Sequence, residues 1–243
     1  SSAVPNCISY DPTFAFELAV VIQDGMRRML EVQEDVYYYI TLMNENYAHP
    51  AMPKDAEQDI IKGMYKLKSV GDSQAKLRVQ LLGSGTIFRE VIEAAEMLQK
   101  DWNVASDLWG CPSFTELARD WNTVHRSNLL NPTAAPTLSH VEQCLKNTTG
   151  PVIAATDYVR LFAEQIRPAI QHLERRYEVL GTDGFGRSDT REKLRDFFEV
   201  DRRWVVITAL RSLVDAGQLD RQILAQAIQK YGIDTTKPNP MTV

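Results

Sequence analysis

VYYYITL, residues Val36 to Leu42, is the stretch whose reading decides the fold. It is a β-branched and aromatic run ending in Leu42, without the polar alternation of a half-exposed strand, and such a run suits a strand covered on both faces of a parallel sheet. Upstream, Asp11-Pro12 reads as a helix opening, with Asp at the N-cap and Pro at the first helical position. Phe14 to Ile22 is almost wholly apolar, as in a helix surrounded by other structure, and Arg27 and Arg28 follow where cations complement a helix dipole. One helix cannot cover both faces of VYYYITL, and a lone strand leaves its backbone groups unpaired. Residues 1–45 therefore read as the tail end of a larger α/β domain. The alternative is that this strand joins the sheet of the following domain.

Beyond it, Asn44 to Asp59 carries prolines and much polarity and reads as a loop, with residues 46–59 as a linker between domains. Strands are expected at Gly63–Val70, Leu77–Leu82, Val104–Trp109, Val152–Ala155 and Tyr177–Leu180. Between them lies an amphipathic helix with the stripe Ile87, Val91, Ala94 and Leu98 and with Arg89–Glu93 and Glu96–Lys100 pairs on its wet side. Ser113-Phe-Thr-Glu116 and Asp189-Thr-Arg-Glu192 read as capping boxes, and another helix runs from the Val152 strand to about Ile166. Helices at Trp204–Val214 and between Asp220 and Gly232 close the pattern. Strands alternating with helices predict a three-layer α/β/α domain with a mainly parallel sheet over residues 60–243.

The composition is that of an ordinary globular protein: 243 residues, 44% hydrophobic and 24% charged, with a net charge of −5. At about 150 residues per domain this is one large domain or two modest ones. The charge offers no general attraction to nucleic acid or to an anionic membrane, and neither partner is expected. Cys7, Cys111 and Cys144 are too scattered for a disulfide framework or a Cys-x-x-Cys site. No apolar run reaches the roughly 18 residues of a membrane span.

Several motifs invite a chemical reading. Gly83-Ser-Gly85-Thr-Ile-Phe88 lies between a strand and a helix, and Asp107 follows about two dozen residues later, near the layout that binds a dinucleotide. Phe88 at the third glycine position argues instead for a tight strand-to-helix turn. The loop Gly181–Asp189 holds three glycines and Arg187, which suit an anion, but Asp183 and Asp189 oppose one, and sharp turning is the plainer role. His49, His125, His140 and His172 have no partners at metal spacing, so no metal site is expected and packing roles are. The Asp-Gly pairs at 24–25 and 183–184 lack the flanking residues of a thiamine diphosphate signature. Trp102, Trp109, Trp121 and Trp204 read as core or interface anchors.

Six blocks carry a family resemblance: PNCISYDP (Pro5–Pro12), VYYYITLMNENY with HPAMP (Val36–Pro53), LLGSGTIFREVIEAAEML (Leu81–Leu98), SFTELARDW (Ser113–Trp121), TDYVRLFAEQIR (Thr156–Arg167) and LGTDGFGRSDTREKLRDFFEVDRRWVV (Leu180–Val206). Together they resemble the decarboxylating first component of the bacterial homodimeric pyruvate dehydrogenase complex, a cytoplasmic oxidoreductase. The resemblance implies that residues 1–45 are the C-terminal end of its middle, pyrimidine-binding domain and residues 60–243 its transketolase-like C-terminal domain. It implies thiamine diphosphate and magnesium in the intact enzyme, with catalytic and cofactor-binding residues N-terminal to Ser1 and none on this chain. It implies three partners: a homodimeric subunit, the N-terminal portion of the same enzyme, and the dihydrolipoyl acetyltransferase component. The fragment alone is expected to be inactive, with a structural or dimerisation role. Asn44, Glu45, Asn46 and Tyr47 are the candidates for lining a substrate channel, the other reading being a linker start. Two rivals stand beside this: an autonomous assembly module of the same fold, and a nucleotide-binding oxidoreductase using Gly83–Phe88.

Overall fold

A computed structural model describes all residues, 1–243. Its larger sheet has five strands in the order β3-β5-β4-β6-β7. These are β3 (Tyr65–Val70), β4 (Arg78–Gly83), β5 (Ala105–Gly110), β6 (Val152–Ala155) and β7 (Tyr177–Leu180). All pair in parallel except β3, which runs antiparallel to β5 along one edge with a register irregularity between Lys66 and Lys68.

Alternation along each strand divides two cores. Val79, Leu81, Ile153 and Ala155 face one layer, with α3 (Phe88–Trp102), α9 (Arg202–Asp215) and α10 (Arg221–Lys230). Leu82, Val152, Ala154 and Tyr177 face the other, with α4 (Phe114–Leu130), α5 (His140–Leu145), α6 (Arg160–Glu164) and α7 (Arg167–His172). The expected three-layer domain is what forms, and the α3 stripe of Ile87, Val91, Ala94 and Leu98 is completely sealed from water. Its outer charges reach further than one helix: Arg89 bonds Glu45 and Glu96 bonds Lys68, in place of the i,i+4 partners. Helix α8 (Arg191–Phe197) is capped by Thr190 rather than Asp189; Ser113 caps α4, accepting from Glu116 N at 3.1 Å, but only this half of the expected box forms, because the Glu116 carboxylate pairs with Arg119.

The first residues depart from the sequence reading in three ways. Cys7–Tyr10 forms a strand, β1, which pairs in parallel with β2 (Tyr37–Ile40), so that VYYYITL belongs to a two-stranded sheet. The apolar run CISY is only four residues long and ends at Asp-Pro, which mimics a helix opening. Helix α1 (Ala15–Met26) in fact starts later; Glu17 accepts from the Thr13 and Phe14 amides, and the Asp11 amide donates to the Pro112 carbonyl at 2.7 Å. Nor is β2 covered on both faces: Tyr37 and Tyr39 are 49% and 55% exposed, because this chain supplies a layer on one side only. After a wider π-type turn at Arg27–Glu31 and the strand, α2 (Glu57–Lys62) straddles the expected boundary at 59/60, starting inside what reads as linker.

The small sheet is tied to the large domain by buried contacts. Ile8, Tyr10, Val21, Ala56, Ile60 and Tyr65 form a third core between them. Tyr65 Oη donates to Glu17 Oε1 at 2.5 Å, and Ser113 Oγ donates to the Ser9 carbonyl at 2.6 Å. Burial pushes Glu17 up to about 7 against the hydrogen bonds from Tyr65, Phe14 and Thr13. A carboxyl raised in the folded state stabilises fully below its ordinary range and loses that contribution as pH climbs through its folded value. Denaturant unfolding should therefore show the chain losing stability between pH 5 and pH 8, and Glu17→Gln should flatten that slope; an unchanged slope in the variant removes Glu17 as its source.

Candidate functional site

The chain leaves β4 towards β5 on one side and leaves β6 towards β7 on the other. A crevice opens outside the carboxyl ends of parallel strands at such a switch point. Here it is bridged by the residues just past each strand. Thr86 Oγ1 donates to Asp157 Oδ2 at 3.0 Å, and Arg195 Nη2 donates to Thr86 Oγ1 at 3.2 Å while lying 3.8 Å from Asp157. Burial raises Asp157 above the usual carboxylate range, with Arg195 and Thr86 pulling the other way. Arg195 also approaches Glu90 at 3.4 Å. Burial of Glu90 is outweighed by Arg202, 2.8 Å away, and its carboxyl stays below the usual range.

The segment Asn44–Tyr47 is strapped beside this crevice, but its four residues do not act as one unit. Asn44 Oδ1 accepts from Arg191 Nη2 at 2.5 Å. Glu45 meets three arginines: Arg89 at 2.6 Å, Arg191 at 3.5 Å and Arg195 at 3.9 Å. Asn46 is exposed and makes no side-chain hydrogen bond. Tyr47 turns the other way, donating to the Thr13 carbonyl, stacking on His49 and carrying the Arg89 guanidinium 4.4 Å above its ring. Sequence reading singled out the strap and missed Arg89, Arg191, Arg195 and Asp157. The spacing of Arg187, Arg191 and Arg195, every fourth residue, was the available signal.

The other motifs resolve as packing. The Gly83–Gly85 turn is occupied by its own chain: Gly85 N donates to the Asp11 carbonyl at 2.9 Å, and Thr13 Oγ1 donates to the Gly85 carbonyl at 2.7 Å. Gly85 sits at φ +56°, and a Cβ there would lie 2.5 Å from Asp11 Oδ2. Phe88 packs onto Gly83, and a pyrophosphate has no approach. Asp107 lies inside β5, not at its end, with Lys66 at 2.8 Å and Arg78 at 3.1 Å. Burial opposes its charge, but the bonds from Lys66, Ser69 and Gln80 prevail and lower it to about 2.

His125 packs edge-on against Trp121 and His172 lies beside the same ring, with its Nδ1 2.5 Å from Glu142; His140 Nε2 donates to the Met64 carbonyl at 2.8 Å. Asp24 is held by Arg27 and Asp183 by Arg160, each at 2.7 Å, and no three His, Cys, Asp or Glu side chains are grouped to hold a metal ion. The residues present do not fit a cradle for magnesium and a diphosphate. No helix is long and apolar enough to cross a membrane.

The model of the transketolase-like C-terminal domain matches residues 63–201, the part that builds this sheet and its switch point. The chain belongs to that family. Residues 1–50 match the middle domain of the pyruvate dehydrogenase E1 component. Along 242 residues the chain is 66% identical to the pyruvate dehydrogenase E1 component of Cupriavidus necator, covering 100% of this chain and 27% of that one. The E1 components of Pseudomonas aeruginosa and Escherichia coli are 57% and 52% identical over 99% of this chain, which covers 27% and 26% of them. The chain thus spans about a quarter of the length of these relatives. Among solved structures, the transketolase of Campylobacter jejuni shares the fold with a TM-score of 0.57 at 19% identity, over 86% of this chain and 27% of that one. A split-gene transketolase, described as an inactive β4 tetramer, has a TM-score of 0.53 at 14% identity, over 88% of this chain and 60% of that one.

Held by three arginines, Glu45 is an anchor more than a free lining group. Glu45→Gln should lower the unfolding free energy by about 1–2 kcal/mol, since it leaves the partly buried Arg89 and Arg191 without a carboxylate and removes one of those around Arg195. Asn46→Ala should leave it unchanged; equal melting curves for wild type and Glu45→Gln would refute the anchoring role.

Proposed function

We propose that this chain is the carboxy-terminal part of a pyruvate dehydrogenase E1 component, an oxidoreductase that decarboxylates pyruvate and acetylates a lipoyl group on the acetyltransferase component. The observation that carries the reading is the two-stranded sheet. Strands β1 and β2 have no neighbour at their outer edges, and alternate tyrosines of β2 stand exposed. Two strands alone are marginal in water, and parallel strands belong in sheets covered on both faces. The remainder of that sheet and its second layer belong to a longer polypeptide, whose middle domain ends near residue 45 and passes through residues 46–59 into the C-terminal domain at residues 60–243.

In this reading the whole enzyme uses thiamine diphosphate and magnesium, bound by residues outside this chain, and the cofactor supplies an electron sink for loss of carbon dioxide. This chain's residues position structure: Glu17 and Tyr65 lock the middle-domain remnant onto the C-terminal domain, and Glu45 clamps the strap through Arg89, Arg191 and Arg195. The chain would work in the cytoplasm as part of a homodimer, with Asn44–Tyr47 beside the route of the substrate.

The test is reconstitution. Mixed with thiamine diphosphate, magnesium and pyruvate, this chain alone should release no carbon dioxide, and adding the N-terminal portion should restore turnover where the pieces associate. Turnover by the chain alone would sink the reading. Exposed Asn46 tests the channel: Asn46→Ala in the full-length enzyme should raise the KM for pyruvate several-fold at unchanged stability, and unchanged kinetics removes these residues from the substrate's path.

A further inference from the structure

The fold places a positively lined cavity of about 340 Å³ beside the switch-point crevice, a size within the range of small-ligand pockets. Its wall includes Arg187, Arg191 and Arg195, against one lining carboxylate, Asp157. Leu194, Phe198 and Val200 supply an apolar floor, and Met43 from the strap closes one side. The three arginines are not equally engaged. Arg195 is held by Thr86, Glu90 and Asp157, and Arg191 by Asn44 and Glu45. Arg187 has no hydrogen bond or carboxylate partner at all; its guanidinium rests 5.2 Å above the Phe197 ring.

The loop that carries Arg187 is fixed on one side and open on the other. Thr182 N donates to the Tyr158 carbonyl at 2.8 Å, Thr182 Oγ1 donates to the Asp157 carbonyl at 2.9 Å, and Asp183 is clamped by Arg160. Gly184 sits at φ +108°, where a Cβ would lie 2.6 Å from the Pro240 carbonyl oxygen, so the chain end presses against it. Beyond it, Gly186 has no neighbouring atom in the direction of a Cβ, so the backbone before Arg187 faces open space. The larger cavity, about 660 Å³ against α9 and the chain end, differs in this respect. There Arg176 and Arg211 share Asp215, Arg160 has Asp183 and Lys237 has Glu199, so its charges are already matched.

We propose that the cavity lined by Arg187, Arg191 and Arg195 binds a small dianion of the phosphomonoester class. Planar guanidinium groups match phosphate oxygens in paired hydrogen bonds, and Arg187, with no carboxylate of its own, gives the lining a positive charge that the protein leaves unmatched. The counter-charge behind the wall is Glu45, which occupies Arg191 and Arg195 from the strap side and leaves Arg187 as the arm free to close on the ligand. The apolar floor accommodates a short carbon body attached to the phosphate. This site is independent of whether Asn44–Tyr47 line a substrate route.

Equilibrium dialysis with labelled inorganic phosphate tests it, using the full-length enzyme saturated with thiamine diphosphate and magnesium so that no diphosphate site competes. Saturable binding of one phosphate per chain is expected. Arg187→Ala and Arg191→Gln should each weaken it about tenfold, the scale of one charge-assisted hydrogen bond. Arg126→Ala, an exposed arginine on α4, should leave it unchanged. Unsaturable binding, or equal affinity in Arg187→Ala and wild type, overturns the proposal. Displacement of phosphate by pyruvate at equal concentration overturns the dianion assignment in favour of a monocarboxylate.

Discussion

The seam between the two sheets depends on one buried carboxylate. Glu17 accepts from two amides at the start of its own helix and from the Tyr65 hydroxyl on the first strand of the large sheet. Through that one side chain the start of α1 and the edge of the domain share a set of hydrogen bonds. Asp11 makes the second tie, with its backbone sealing the Gly83–Gly85 turn and its Oδ1 accepting from Thr41 at 2.8 Å. Burying two carboxyls is costly, which raises both of them, Asp11 to about 6. The arrangement holds because packing around Tyr10, Ile60 and Tyr65 is dry and close.

Periodicity was enough to read the sheet and the longer helices of the C-terminal domain. The α3 stripe, the strands at Val152 and Tyr177 and the Ser113 cap all stand where local pattern places them, because each meets a partner encoded within a few turns or one strand away. The first residues resisted for a physical reason. CISY is too short to show a period, and its Asp-Pro end satisfies the rule for a helix start while the folded chain uses Asp11 for a tertiary contact. VYYYITL reads as a strand covered on both faces because every residue in it is apolar or aromatic but for Thr41, whereas the structure exposes Tyr37 and Tyr39 and covers one face only. The short helices α2 and α5 carried too few turns to stand out from loop.

The candidate site was legible only in outline. The strap after β2 follows from strand topology, but its meaning depends on arginines that lie some 45 to 150 residues away in sequence. No local rule joins Glu45 to Arg89, Arg191 and Arg195; the parallel sheet does, by bringing the segments after β4 and β7 to the same end. Gly83–Phe88 shows the converse. A motif with a strong chemical association is spent on packing, because Asp11 and Thr13 fill the space a ligand would need.

The antiparallel strand β3 has a further effect on how the molecule can assemble. Its irregular pairing at Lys66 and Lys68 bends that border of the sheet and studs it with cations, which makes it a poor template for another chain. Growth by strand addition is thereby discouraged at that end. Any extension of the β structure is directed towards β7 or towards the bare pair β1–β2, so the polypeptide carries its own polarity for docking.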